Sequence, residues 1–287
     1  MKIKIGTRKS MLALAQAQMF IAALTSQFPQ LETEIIEITT KGDVILNKPL
    51  SSFGGKGIFS LEIEKALQQG TIDVAVHSAK DLPFQLADNL EIGCTLQRGN
   101  YRDVLVTSSK NMPVEKNRIV IGTGSLRRQV NFKKLYPNAV FKDIRGNVDT
   151  RLTKLKSGEY DGIILAAAGL ERLELNKSND FIFKAFDYDV FLPAPCQGII
   201  AAETVKNSWA YEIIKAVSHT DTFISFETER AAAKILGSDC SNPLGCYSDV
   251  CGDKISLTIS LDGNKTVHGE CKISDRFKLV KELTSKL

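Results

Sequence analysis

Lys80 and Asp81 stand side by side in His77-Ser-Ala-Lys-Asp-Leu-Pro83, directly after the apolar run Ile72 to Val76. An aspartate at the carboxyl end of a buried strand can exchange a proton with an amine, while the lysine beside it holds a carboxylate. The same pair would also serve as a helix cap and an exposed ion pair. Further along, Arg118, Arg127, Arg128, Arg145, Arg151 and Arg172 fall within one region of a chain otherwise sparing of arginine. Arginine is the side chain suited to bidentate recognition of carboxylates and phosphates. In Gly122-Thr-Gly-Ser-Leu-Arg-Arg128 a glycine turn opens a helix at Ser125, so free N–H groups, the hydroxyls of Thr123 and Ser125, and two arginines form an anion seat or an ordinary capped helix. Arg145-Gly-Asn-Val-Asp-Thr-Arg151 repeats the theme, and its arginines could equally sit in surface ion pairs. Ser51-Ser-Phe-Gly-Gly-Lys-Gly57 reads as a loop that covers a ligand with Lys56, or as a plain surface connection. Cys240 lies in a turn-rich stretch with Gly237, Pro243 and Gly245, where a thiol can be a nucleophile, a covalent tether or inert.

These groups need elements to hold them. Periodicity predicts a strand at Ile3 to Ile5, a helix over Met11 to Gln27, a strand at Thr33 to Thr39, a helix over Ser60 to Gln69 and a strand at Ile72 to Val76. The middle repeats the alternation with Arg118 to Ile121, Ser125 to Tyr136, Asn147 to Lys156 and Gly162 to Ala166. From Thr222 the pattern becomes a helix through Ile235, strands at Ile255 to Ser260 and Thr266 to Ile273, and a last helix from Arg276. Two α/β units followed by a small α+β unit are expected, with ligands in the cleft at the strand ends.

The chain has 287 residues, more than one domain usually holds. Its 37 basic and 33 acidic residues give a net charge of +4, too balanced to signal nucleic-acid binding. The start MKIKIGTRKS lacks the apolar core of a secretory signal, and no apolar run reaches membrane-span length. A cytoplasmic protein with no membrane or nucleic-acid partner is the expectation, and its 6 cysteines are expected to be reduced. Cys246, Cys251 and Cys271 raise a zinc site with Cys240, but no CxxC spacing supports one, so no metal is expected. His77 has no neighbouring ligand to complete a metal site and reads as structural.

The stretches IGTRKSMLALAQA, TKGDVI, GGKGIF, DVAVHSAKDLP, GTGSLRRQ, IRGNVDTRL, GEYDGIILAAAGLERL and the PLG after Cys240 share an order and spacing. In them the chain resembles the porphobilinogen deaminase (hydroxymethylbilane synthase) family from Ile5 to about Gly252. The resemblance implies two lobes of the type II periplasmic-binding-protein kind and a small α+β C-terminal domain, with limits 1–96 plus 197–216, 97–196 and 217–287. It implies a monomeric transferase that joins four porphobilinogen molecules head to tail with loss of ammonia and releases hydroxymethylbilane. A dipyrromethane cofactor would be tied to Cys240 by a thioether. By the same resemblance Asp81 is catalytic. Lys80, Asp81, Thr123, Ser125, Arg127, Arg128, Arg145 and Gly146 hold the cofactor. Arg8, Ser10, Lys56, Arg145, Arg151, Arg172 and Gln197 hold substrate, and Asp43 matches a loop residue near the site.

Against the family pattern, Ser238 and Asp239 replace two glycines before the cofactor cysteine, Cys196 replaces a glycine before Gln197-Gly198, and Asn100-Tyr101 replaces an Asp-Pro pair. The short carboxyl end suggests a trimmed third domain. Two other readings remain open: a non-catalytic receptor for small anions, since fold does not fix function, and a zinc-dependent regulator.

Overall fold

A computed structural model of the chain describes residues 1–44, 60–83, 85–108, 118–237 and 242–287. Lys56, Ser238, Asp239 and Cys240 lie outside the described residues. The chain opens with β1 (Lys2–Arg8), α1 (Met11–Gln27), β2 (Glu32–Ile38), α2 (Lys41–Val44), α3 (Leu61–Gln68), β3 (Val74–Ser78) and β4 (Leu90–Thr95). It continues through β5 (Asp103–Thr107), β6 (Ile119–Gly122), α4 (Leu126–Leu135), β7 (Ala139–Lys142), α5 (Val148–Lys156), β8 (Gly162–Ala166), α6 (Ala167–Arg172) and β9 (Ile182–Ala185). The last elements are β10 (Ile200–Val205), α7 (Trp209–Lys215), α8 (Thr220–Ile235), β11 (Gly245–Cys251), β12 (Lys254–Ser260), β13 (Thr266–Lys272) and α9 (Arg276–Ser285).

The strands form three sheets. The first runs β2-β1-β3-β10-β4, the second β7-β6-β8-β5-β9, and the third β11-β12-β13. In the first, β1 is parallel to β2 and β3, whereas β10 is antiparallel to both β3 and β4. The second mirrors this: β6 is parallel to β7 and β8, and β5 is antiparallel to β8 and β9. Each lobe therefore holds one reversed strand that arrives across a connection from the other lobe. Two type II periplasmic-binding-protein lobes and a small α+β unit are the architecture.

Local sequence explains the elements that frame the site. Ser10 caps α1 by accepting a hydrogen bond from Ala13 N, and Ala13, Gln16, Ala17, Phe20 and Leu24 form its buried stripe. That stripe packs on Ile3, Ile5, Val74 and Val76, the inward positions of β1 and β3. On the opposite face, Ile63 and Leu67 of α3 close over Ile72, Ala75 and Leu90. The second lobe buries Val106, Leu152, Leu155, Ile163 and Leu170 in one cluster. In the third unit, alternate residues Leu257 and Ile259 of β12 meet Ala232 and Ala233 of α8 and Val280 and Leu283 of α9.

One hydrogen-bonded knot joins all three units. Arg98, on the crossing from β4 to β5, donates to Glu229 of α8 at 2.6 Å, to Gln197 O at 2.9 Å and to Ser248 O of β11 at 3.4 Å. Fully buried Glu229 also accepts from Cys196 N at 2.6 Å and Ser248 N at 2.8 Å. The return crossing is tight: Gly99 N donates to Gly198 O at 3.0 Å, and Gly198 has φ +88°. Cys196 also adopts a left-handed φ of 60°.

Candidate active site

Asp81 closes a short 3-10 turn, Ala79–Asp81, at the carboxyl end of β3. It lines a small, open cavity together with Arg8, Ser10, Gln16, Ser60, His77 and Ser78, at the ends of β1 and β3. The sequence therefore places Arg8, Ser10 and Asp81 around one space. Arg8 is not idle there: its guanidinium pairs with Asp43, whose second oxygen accepts from Thr40 Oγ1 at 2.7 Å. Burial pushes the Asp43 carboxyl up, but Arg8 and Thr40 outweigh it and hold it below the usual carboxylate range.

Lys80 turns away from that cavity toward the second lobe. Its Nζ donates to Gln197 Oε1 at 3.3 Å, and Gln197 in turn donates from Nε2 to Tyr101 O at 2.7 Å. Burial lowers the ammonium to about 8, against the opposing pull of Asp81, while Arg128 and Arg127 lower it further and Asp103 raises it. Arg151, on α5, is lowered to about 10, first by burial and then by Arg128 and Arg145, with Asp81 opposing. Its Nε donates to Gly146 O at 2.8 Å. Residues of the two lobes thus feel one another across the cleft.

Arg127 and Arg128 are committed to a partner that the motif reading did not name. Arg127 Nη1 donates to Asp103 Oδ2 at 2.7 Å and to Leu192 O at 2.7 Å. Arg128 Nε donates to Asp103 Oδ1 at 2.9 Å, and its Nη1 to Ile164 O at 2.8 Å. Burial would raise Asp103, yet the two guanidiniums bring it down to about 2. Thr123 is buried, its Oγ1 accepting from Ser125 N at 3.2 Å, and Ser125 caps α4 through Arg128 N. Gly146 has φ +106°, the left-handed turn that lets Arg145 and Arg151 flank one helix start. Arg172 Nη2 donates to Gly198 O at 2.6 Å, at the lobe crossing, and burial lowers its guanidinium to about 10.

The family model described as "Porphobilinogen deaminase, dipyromethane cofactor binding domain" matches residues 3–212. The chain belongs to the porphobilinogen deaminase family. A porphobilinogen deaminase of Acetivibrio thermocellus is 40% identical over 281 residues, covering 96% of this chain and 93% of that one. A protein of Picrophilus torridus named probable porphobilinogen deaminase is 43% identical over 248 residues, covering 86% of each. Among solved structures, a double mutant of the BvgS VFT2 domain of Bordetella pertussis aligns at TM-score 0.46 and 17% identity, covering 82% of this chain and 92% of that chain.

The residues present suit the dipyrromethane group of this family, which carries carboxylate side chains. Among the described residues, Lys80, Arg145, Arg151 and Arg172 have no carboxylate within ion-pair distance. Partial burial of Lys80, Arg151 and Arg172 without a paired anion disfavours their charge, and an incoming carboxylate favours it. No group of three His, Cys, Asp or Glu side chains is arranged for a metal among the described residues, and no described helix is long and apolar enough to cross a membrane.

Proposed function

We propose that this chain is a hydroxymethylbilane synthase: it joins four porphobilinogen molecules head to tail with loss of ammonia, then adds water to release hydroxymethylbilane. The observation that carries the reading is Asp81 on a cavity wall, with Lys80 and Arg151, part-buried cations without a carboxylate partner among the described residues, close enough to feel its charge. Cys240, by its match to the family's cofactor cysteine, would hold the dipyrromethane by a thioether, and Lys80, Thr123, Ser125, Arg145 and Gly146 would surround it. When bound, that group supplies the free α-carbon to which the first substrate ring is joined.

The chain's own residues do the rest. Asp81 pairs with the aminomethyl ammonium of porphobilinogen, steadies the cationic carbon left as ammonia departs, and can take up the proton lost from the ring carbon. Arg8, Ser10, Arg151 and Arg172, with Lys56 and Gln197, hold the acetate and propionate groups; charge-assisted contacts fix position as well as supply affinity. Arg127 and Arg128 act on bound carboxylates by their field and by donors not taken by Asp103. We place the protein in the cytoplasm as a monomer without nucleic-acid partners, with domain limits at 1–96 plus 197–216, 97–196 and 217–287.

Intact mass of the denatured protein beside Cys240→Ser tests this reading. An excess equal to two linked pyrrole units, absent from the variant, together with hydroxymethylbilane formed from porphobilinogen, is expected. Neither adduct nor product after incubation with porphobilinogen would favour the anion-receptor reading.

A further inference from the structure

Three tyrosines from distant parts of the chain meet beside the lobe crossing. Tyr101 lies between β4 and β5, Tyr188 in the segment after β9, and Tyr247 on β11, the first strand after Cys240 in sequence. The ring centroids of Tyr101 and Tyr247 are 4.1 Å apart, and that of Tyr188 lies 5.4 Å from Tyr247 and 6.3 Å, edge on, from Tyr101. The Arg98 guanidinium sits 4.7 Å from the Tyr247 centroid and 5.5 Å from that of Tyr101. Ring–ring and cation–ring attraction together fix Tyr101 against the third unit.

The backbone of Tyr101 leads from this cluster to the cleft. Its carbonyl accepts from Gln197 Nε2 at 2.7 Å, and Gln197 Oε1 accepts from Lys80 Nζ at 3.3 Å. Gln197 is fully buried, and its own carbonyl accepts from Arg98 Nε at 2.9 Å. A backbone carbonyl only accepts, so it takes the amide NH2 of Gln197 and leaves Oε1 for the ammonium, which only donates. With the amide turned over, two donors would face each other at Lys80 and two acceptors at Tyr101. The Tyr101 carbonyl therefore decides which end of the Gln197 amide Lys80 meets. A lysine already held in place binds a carboxylate without first losing the freedom of its long side chain.

We propose that Tyr101 and Tyr247 are positioning residues: their packed rings keep the Tyr101 carbonyl on Gln197, Gln197 keeps Lys80 in place, and Lys80 holds a dipyrromethane carboxylate in register with the tether at Cys240. This rests on the hydroxymethylbilane synthase reading. A tether fixes one end of a two-ring group and a cation fixes its direction, and a misplacement of about 1 Å at a reacting carbon can cost on the order of 10²-fold in rate.

The test uses Tyr101→Leu and Tyr247→Leu, with thermal midpoints as folding controls. Each should lower kcat about tenfold and leave KM within about twofold, while the intact mass keeps the excess of two pyrrole units. Tyr247→Phe, which retains the ring, should restore kcat to within about twofold. Added to Gln197→Leu, Tyr247→Leu should lower kcat no further, because the relay is already cut. A readout independent of turnover is solvent exchange of the Gln197 side-chain amide, followed by NMR and assigned with Gln197→Leu. It should quicken at least about tenfold in both leucine variants, whereas the side-chain amide of Gln16, which donates to Ser78 Oγ at 2.8 Å, should keep its rate.

Unchanged exchange at Gln197 in the folded variants, or a further loss of kcat on top of Gln197→Leu, would overturn the proposal and leave the tyrosines a structural role. Should one leucine variant fail to fold, the other decides. No hydroxymethylbilane from the unsubstituted chain would instead sink the reading on which the proposal rests, a result that the exchange rates do not affect.

Discussion

Asp103 is a buried carboxylate between two guanidiniums, and its energetics can be worked out from that alone. Replacing it with Asn leaves Arg127 and Arg128 buried without their anion, a loss of about 3 kcal/mol by analogy with broken buried pairs. A lowered urea midpoint for Asp103→Asn with an unchanged slope checks this. Asp103 is held at about 2 in the folded chain, below the ordinary 3.8 of a free aspartate, so the stabilisation is present above 3.8 and is lost as pH falls toward 2. Lys80 works in the other direction. Its ammonium is lowered from 10.5 to about 8, so the unfolded chain binds more protons between these values and stability should rise with pH across that window. Lys80→Met should flatten the rise, as read from urea midpoints at pH 7.5 to 10.5. At Asp81, substitution by Asn should cut turnover about 10²- to 10⁴-fold, the span of acid–base contributions, with the fold intact by circular dichroism. Unchanged steady-state activity would remove Asp81 from the mechanism. Lys80, Asp81 and the two arginine motifs were legible as neighbours in sequence. Asp103 as the partner of Arg127 was not, because 24 residues separate them and no local pattern links a strand's first residue to a helix in the same lobe.

Among the elements, α1 and β8 have the bounds that periodicity predicts, Met11–Gln27 and Gly162–Ala166. Alternation in β12 and the capped start of α4 were equally readable. The strands that periodicity alone did not assign are informative. β5 is buried at every position, Asp103 included, so it has neither period 2 nor a uniform apolar run. β9 is largely exposed and lies at a sheet edge, where burial leaves little imprint on sequence. The lobe crossing offers a sharper test of element geometry. A Cβ on Gly198 would lie 2.6 Å from Gly99 O, a backbone atom that cannot swing aside, and Gly198 already has φ +88°. Gly198→Ala should cost about 2 to 3 kcal/mol through strain and steric conflict, measured as a lower urea midpoint. A midpoint within experimental error of the unsubstituted chain would show that the crossing can relax.

At the scale of the molecule, Arg98 and Glu229 hold three units in one register although 131 residues separate them in sequence. No sequence pattern announces such a pair, since each residue meets only local neighbours along the chain. Arg98→Ala should destabilise by about 3 to 5 kcal/mol because it leaves the Glu229 carboxylate buried without a cation. Loss of a single cooperative transition, with the α8 unit melting apart from the lobes, is the expected calorimetric signature. A single unshifted transition would mean that the units are held by apolar contact alone.

The reversed strand β10 also bears on how the chain is made. β10 lies between β3 and β4 in the finished first sheet, yet it is synthesised only after every strand of the second lobe. Until then β4 lacks its pairing partner, whereas β5 to β9 form a complete sheet from contiguous chain. On a ribosome the amino-terminal lobe should therefore stay protease-sensitive while the lobe synthesised later closes first, reversing the amino-to-carboxyl order usual for multidomain chains.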